Sequence, residues 1–188
     1  MTKTNLFNLQ GTHNPHRFFL PVEKNICVGP PGNEFLFGGV GLGAAITAME
    51  QSLDRPVVWA TSQYLSYAQP GSIVDIDVIA PKVGKNITQA RVIGHVGDRE
   101  IFTVNAALGR RDMELEQQWI KPRDVPGPDA CDPVPTFDPT NKDLHSRFDI
   151  RVARGRWGWR MMDDDTPGSE DGNSILWARL KEDFPVSC

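Results

Sequence analysis

"NEFLFGGVGLGAAITAMEQSL", residues 33–53, decides how the chain is read. Four glycines, Gly38, Gly39, Gly41 and Gly43, fall within six residues, and a helical pattern follows. Leu42, Ile46, Met49 and Leu53 recur at the spacing of one helix face, with Ala44, Ala45 and Ala48 among them. This predicts an apolar, small-sided helix of about three turns, suited to burial against a sheet. Asp54-Arg55-Pro56 stops it.

The glycines first suggest a phosphate loop. Gly39-Val40-Gly41-Leu42-Gly43-Ala44 fits the form of a dinucleotide-binding turn. Such a turn follows a strand, opens a helix and leads to a second strand ending in an acid. Only "FLF" precedes it here, and the next strand closes on Ala60-Thr61-Ser62-Gln63, which contains no acid. The Gly-Lys-Ser/Thr of a P-loop is absent. Two other readings stand. Glycines permit close helix–sheet packing. A helix N-terminus also carries unpaired N–H groups and a partial positive charge, which hold a developing oxyanion as well as a phosphate.

After the helix, the text predicts strands. "PVVWATSQYLSYA" is rich in β-branched and aromatic residues and ends on the turn Gln69-Pro70-Gly71-Ser72. "IVDIDVIA" places Val74, Ile76, Val78 and Ala80 on one face. "ITQARVIGHV" alternates Thr88, Ala90, Val92 and Gly94 against Gln89, Arg91 and His95. The turn "GDRE" leads to "IFTVNAALG", with Phe102, Val104, Ala106 and Leu108 on one face. Short turns between these runs predict an antiparallel meander. "HRFFLPV" reads as an extra strand. The expected fold class is α+β, a helix covering the apolar face of an antiparallel sheet.

From residue 124 to 139 the composition shifts to "DVPGPDACDPVPTFDP", with five prolines and four aspartates. Proline removes backbone donors and fixes φ, so this is an extended connection. "DMELEQQWIKPR" before it reads as a short helix or as loop. Beyond it "RFDIRV" alternates Phe148, Ile150 and Val152, and "SILWARL" follows an acidic loop. Trp157, Trp159 and Trp177 are expected to need burial, and this tail holds no amphipathic helix to supply it.

The 188 residues carry a net charge of −4 and no basic block, which argues against a dedicated nucleic-acid binder. No long apolar run marks a signal peptide or a membrane span, so a cytoplasmic protein without a membrane partner is expected. The three cysteines are far apart and form no Cys/His cluster, so no metal site and no disulfide framework is expected.

Taken in order, "FLFGGVGLGAAITAME", a strand ending "YAQPGS", and "VGKNITQARVIGHVGDREIFTVNAALGRR" resemble the N-terminal half of the TesB-like acyl-CoA thioesterases, acyl-CoA thioesterase II. The resemblance covers about residues 16–112, and "RFDIRV…SILWARLKE" looks like the opening strands of that family's second half. It implies a hot-dog fold, an antiparallel sheet wrapped round a central helix: residues 1–112 a first hot-dog, 113–147 a linker, 148–188 the initial strands of a second. It implies hydrolysis of acyl-CoA to free acid and CoA, with the thioester as substrate and no cofactor. The family's catalytic Asp, Ser/Thr and Gln lie mostly in the second hot-dog, so the main catalytic residues are expected beyond Cys188. Val40 stands where the family has glutamine.

Within this half, Gly39 is the candidate for polarising the carbonyl, Glu50 for a base and Gln63 for an amide that orients water. Val40, Tyr67, Lys85 and Arg91 are the candidates for substrate binding, the two cations meeting CoA phosphates. Arg110 and Arg111 are further phosphate candidates. Trp59 and Tyr64 join Tyr67 either in an acyl tunnel or, more simply, in ordinary core packing. His95 and His16 have no matched acid or nucleophile in the text, and no G-x-S-x-G elbow supports a triad. A hot-dog half exposes a sheet edge, so pairing is expected, with a second half or with another copy. The alternative function is a catalytically silent half that serves as a binding or assembly module.

Overall fold

The computed structural model describes residues 6–110, 117–121, 123–134, 142–157 and 171–182. The chain divides between Glu114 and Leu115 into two compact units.

The first unit is built on one helix and one sheet. The helix α1 runs Gly38–Leu53. The strands of the sheet are β1 (Gln10–Gly11), β2 (Arg17–Pro21), β5 (Val57–Tyr64), β6 (Ile73–Val83), β7 (Ile87–Val96) and β8 (Arg99–Gly109), in the spatial order β1-β2-β6-β7-β8-β5. All pairings are antiparallel. The expected meander is β6-β7-β8, and "HRFFLPV" supplies β2. A small ribbon of β3 (Cys27–Val28) and β4 (Phe35–Leu36) leads into the helix.

Strand alternation puts one residue set of each strand on the helix side. Val74, Ile76 and Val78 of β6, Thr88, Ala90 and Val92 of β7, and Phe102, Val104, Ala106 and Leu108 of β8 are all buried. Phe102 fixes the separation of the two layers. A methyl group added to Gly41 on α1 would lie 3.1 Å from its ring, and one added to Gly94 on β7 would lie 2.5 Å away. Phe102 therefore fills the space that two absent side chains leave.

The helix buries a different stripe from the one its large residues mark. Val40, Gly41, Ala44, Ala45, Ala48 and Met49 are buried, whereas Leu42, Ile46 and Leu53 are only half-buried. Small residues allow the helix axis to approach the sheet, so they take the inner face. Asp54 ends the helix in the left-handed conformation at φ 50°, donating its N–H to the Glu50 carbonyl at 2.9 Å.

The second unit holds a two-stranded antiparallel ribbon of β9 (Phe148–Arg154) and β10 (Ile175–Leu180). Asp143 caps a short 3₁₀ turn, Leu144–Arg147, by accepting from the Ser146 N–H. Arg147 donates to Glu182 at 2.6 and 3.1 Å. The burial expected for the tryptophans is not found: Trp157 is 37% and Trp177 40% exposed. The Trp177 indole N–H donates to the Pro126 carbonyl at 2.9 Å, and Trp159 lies outside the described residues. Residues 112–116 and Pro122 of "DMELEQQWIKPR" also lie outside them; residues 117–121 form no regular element.

Candidate active site at the start of the central helix

The first turn of α1 is open in a way that its sequence dictates. Phe37 occupies the N-cap position in extended conformation and has no side-chain oxygen to cap the turn. Its carbonyl accepts from the N–H groups of Val40 and Gly41 at 3.0 and 3.1 Å. The N–H groups of Gly38 and Gly39 make no hydrogen bond among the described residues. They stand at the positive end of a 16-residue helix, where the aligned peptides sum to about half a unit charge.

Aromatic rings flank these two glycines. A methyl group on Gly38 would meet the Tyr64 ring at 2.9 Å, and one on Gly39 would meet the Phe37 ring at 2.5 Å. The Tyr64 hydroxyl donates to the Gly38 carbonyl at 2.9 Å, which fixes the end of β5 against the start of α1. Tyr67 stacks at a tilt on Phe35, with ring centres 5.1 Å apart. Pro30, Asn33, Glu34, Phe35, Tyr67 and Gln69 line an open pocket of about 280 Å³. Core packing does not account for these rings: Trp59 is 50%, Tyr64 53% and Tyr67 66% exposed. They lie on or just beyond β5, an edge strand with no neighbour on one side among the described residues.

The other sequence candidates are distributed over three places. Glu50 is eleven residues from Gly39, about 16 Å along the helix. Its carboxylate accepts from the Val57 N–H at 2.8 Å and closes the turn from α1 to β5. Lys85 is exposed at that same end, in the β6–β7 turn, where Arg55 donates to the Gly84 carbonyl at 2.9 Å. Gln63 and Arg91 lie on the sheet face turned away from the helix. Gln63 is in register with Thr103, and Arg91 with Asn105, while the helix-side residues Ser62 and Val92 both oppose Val104. Val40 is at the helix start, but its side chain is 2% exposed and belongs to the core. The structure thus brings Gly39 and Tyr67 to the open end, and separates Glu50, Gln63, Lys85 and Arg91 from it. Arg110 is exposed at the end of β8; Arg111 is outside the described residues.

Phe37 was not legible as a site residue, although an aromatic directly before a glycine pair was the available signal. The histidines correct the sequence reading, for both have partners. His95 Nε2 is 3.2 Å from Asp77 Oδ2, and His16 Nδ1 bonds Ser52. Both pairs are remote in sequence and are joined by folding. Cys27 is no nucleophile candidate: burial pushes its thiol up to about 11, and it donates to the Glu23 carbonyl at 3.2 Å. Among the described residues no group of three or more His, Cys, Asp or Glu side chains is placed to hold a metal ion, and no helix is long and apolar enough to cross a membrane.

A helix laid on an antiparallel sheet is shared with solved structures. A candidate thioesterase from Novosphingobium aromaticivorans superposes with a TM-score of 0.78 at 31% identity, over 92% of this chain and 64% of its own. Acyl-CoA thioesterase II from Mycobacterium marinum superposes with a TM-score of 0.66 at 16% identity, over 96% of this chain and 60% of its own. A protein of unknown function from Alicyclobacillus acidocaldarius, described as having a hot-dog fold, gives 0.64 at 16% over 79% and 54%. The chain has the hot-dog fold of the TesB-like thioesterases. No family model matches it, and no curated protein matches it by sequence. The chain spans less than two thirds of the length of each of these three hot-dog proteins.

Proposed function

We propose that this chain is the first hot-dog of an acyl-CoA thioesterase, and that the start of α1 receives the thioester carbonyl. The observation that carries the reading is the pair of unpartnered N–H groups of Gly38 and Gly39 at the open, uncapped end of the helix. Water adds to the carbonyl carbon, and negative charge collects on the oxygen. Backbone donors already fixed in place stabilise that charge without reorganising, which is the largest single contribution in most acyl transfers. The C–S bond then breaks, the thiolate of CoA leaves and takes a proton, and the free acid remains. The Tyr64 and Phe37 rings stand where side chains on Gly38 and Gly39 would, and with Tyr67 they offer apolar surface to the acyl or pantetheine chain.

Activation of the water is assigned to a second hot-dog that pairs along β5. The acid nearest in sequence to the helix start, Glu34, is engaged by Lys24 at 3.3 Å and by the Gly32 N–H at 2.9 Å. Glu50 is held by Val57 at the far end. This absence of a free carboxylate at the helix start among the described residues favours a second reading, in which the chain alone binds acyl-CoA and does not turn it over.

The test is release of thiol from a panel of acyl-CoAs, by the chain alone and mixed with a purified second hot-dog half. The first reading expects saturable release in the mixture; no release in any combination overturns it. Turnover by the chain alone overturns the second.

A further inference from the structure

We infer, resting on the acyl-CoA reading above, that the β6–β7 turn holds the phosphate end of the coenzyme through Arg55, Lys82 and Lys85, at the opposite end of the first unit from the thioester.

The strand register defines the two ends. β5 runs from the end of α1 back to its start: Val57 opposes Leu108, whereas Tyr64 opposes Phe102 and bonds the Gly38 carbonyl. β8 carries both relations on to β7. Gly109 opposes Ile87 beside the β6–β7 turn, and Glu100 opposes His95 beside the β7–β8 turn. The helix start therefore lies at the β7–β8 end, and the helix C-terminus at the β6–β7 end.

Charge is sorted between these ends. Asp75, Asp98 and Glu100 stand at the β7–β8 end, and Glu34 precedes β4. Lys24 there is taken up by Glu34 at 3.3 Å, and Arg17, further along the sheet, by Asp77 at 2.7 Å; Arg99 is the exposed cation of the turn itself. At the other end Lys82 closes β6, Lys85 lies in the turn, and Arg55 follows the helix. None of these three has a carboxylate partner among the described residues. The acids at this end are Asp54 and Glu50, and the Glu50 carboxylate is engaged by the Val57 N–H. Arg110 extends this end from β8, but the acids that follow it in sequence, Asp112, Glu114 and Glu116, lie outside the described residues, so the subsite is assigned to the other three cations.

Arg55 is set in place by the turn. Its Nη1 donates to the Gly84 carbonyl at 2.9 Å, which holds the guanidinium beside the residue that precedes Lys85. The planar fork has further N–H donors to offer an anion. Cations also complement the negative end of a helix, but that end carries only about half a unit charge, less than any one of these side chains.

A CoA thioester has the complementary layout. Its carbonyl is neutral, and its diphosphate and 3′-phosphate sit beyond the pantetheine arm. Acids near the helix start repel those phosphates, and unpaired cations at the other end attract them, so the field of the first unit orients the substrate. The reach is adequate. β5 is eight residues long, which sets the two ends about 24 Å apart. At standard bond lengths the pantetheine arm, on the order of a dozen bonds from sulfur to phosphorus, extends about 16 Å, and long cationic side chains cover the remainder.

The full chain is titrated by calorimetry with adenosine 3′-phosphate 5′-diphosphate, the coenzyme without its pantetheine arm. Saturable binding is expected, weakening several-fold as salt is raised and several-fold in the Lys82→Ala/Lys85→Ala double variant. Both lysines are exposed and unpaired, so this variant is expected to fold like its parent. Arg99→Ala, at the opposite end, is expected to leave binding unchanged. In labelled chain the Arg55 Nε–H and the amides of Gly84, Lys85 and Asn86 are expected to shift most. Absence of saturable binding overturns the proposal, as does binding that the double variant leaves intact or that Arg99→Ala weakens equally. The probe contains no thioester, so its binding at the turn supports the subsite even where no thiol is released from any acyl-CoA. Thiol release whose KM is unchanged in the double variant overturns the subsite and leaves the acyl-CoA reading standing.

Discussion

Strands β6 and β9 carry the same kind of text and meet different fates. "IVDIDVIA" and "RFDIRV" both alternate apolar and polar residues. In β6, Val74 and Ile76 are fully buried; in β9, Phe148, Ile150 and Val152 are all half-buried. The difference is the layer on top. β6 lies between β2 and β7 beneath α1, whereas β9 has β10 and a single bridge from Pro133 to Arg151. Alternation sorts side chains onto two faces, but a face is buried only when a helix or sheet covers it, and a two-stranded ribbon alone is marginal in water. The first unit is a finished layer pair. The second buries only Cys131 and Leu144 among its described apolar residues.

The sharpest way to break this comparison is to remove equivalent rings from the two units. Phe102→Ala empties the space between Gly41 and Gly94 and is expected to cost about 3–5 kcal/mol by denaturant unfolding. Phe148→Ala is expected to cost less than half of that; equal losses contradict the difference between the units. Next in size is Gly94→Ala, whose added carbon meets the Phe102 ring at 2.5 Å. Overpacking there is expected to cost about 1–3 kcal/mol. Gly43→Ala, with Phe7 at an ordinary 3.4 Å, is expected to be neutral or to stabilise by up to about 1 kcal/mol from helix propensity. Glu50→Ala removes the acceptor of the Val57 N–H and is expected to cost about 1 kcal/mol, with ligand binding at the helix start unchanged. The smallest effect is Thr88→Val. The Thr88 hydroxyl is buried and has no hydrogen-bond partner among the described residues, so the isosteric change is expected to be neutral or stabilising by up to about 1 kcal/mol in thermal unfolding.

Much of the sheet was legible because period-two alternation is a direct image of its two faces, and the burial of β6 and β7 follows it, whereas β8 also buries Ile101 and Ala107 on the opposite face. The helix was legible in extent but not in orientation. Large residues mark Leu42, Ile46 and Leu53, whereas a helix that lies close on a sheet turns its glycines and alanines inward. The exposure of Trp59, Tyr64 and Tyr67 was illegible because aromatic content says nothing about whether a strand is at an edge. Glu50 and His95 escaped for another reason. The partner of Glu50 is a backbone N–H, and that of His95 is a diagonal neighbour in the register, and neither is marked by any residue type in the text. Of the candidate site, Tyr64, Tyr67 and the glycine turn were legible, the turn because the absence of side chains next to a helix start is itself a sequence signal. Its glycines make room for rings, divided by position: Gly41 for Phe102, and Gly38 and Gly39 for Tyr64 and Phe37 at the uncapped helix start.

The claim that the helix start receives the thioester can be tested on the chain as it stands. Isotope-labelled chain is titrated with a non-hydrolysable ketone analogue of an acyl-CoA while its amide resonances are followed. Binding is expected to shift the Gly38 and Gly39 amides most, with smaller changes at Phe37, Tyr64 and Tyr67. Saturating shifts centred on Gln63 and Arg91, with Gly38 and Gly39 unmoved, would place the ligand on the outer face of the sheet and contradict the account.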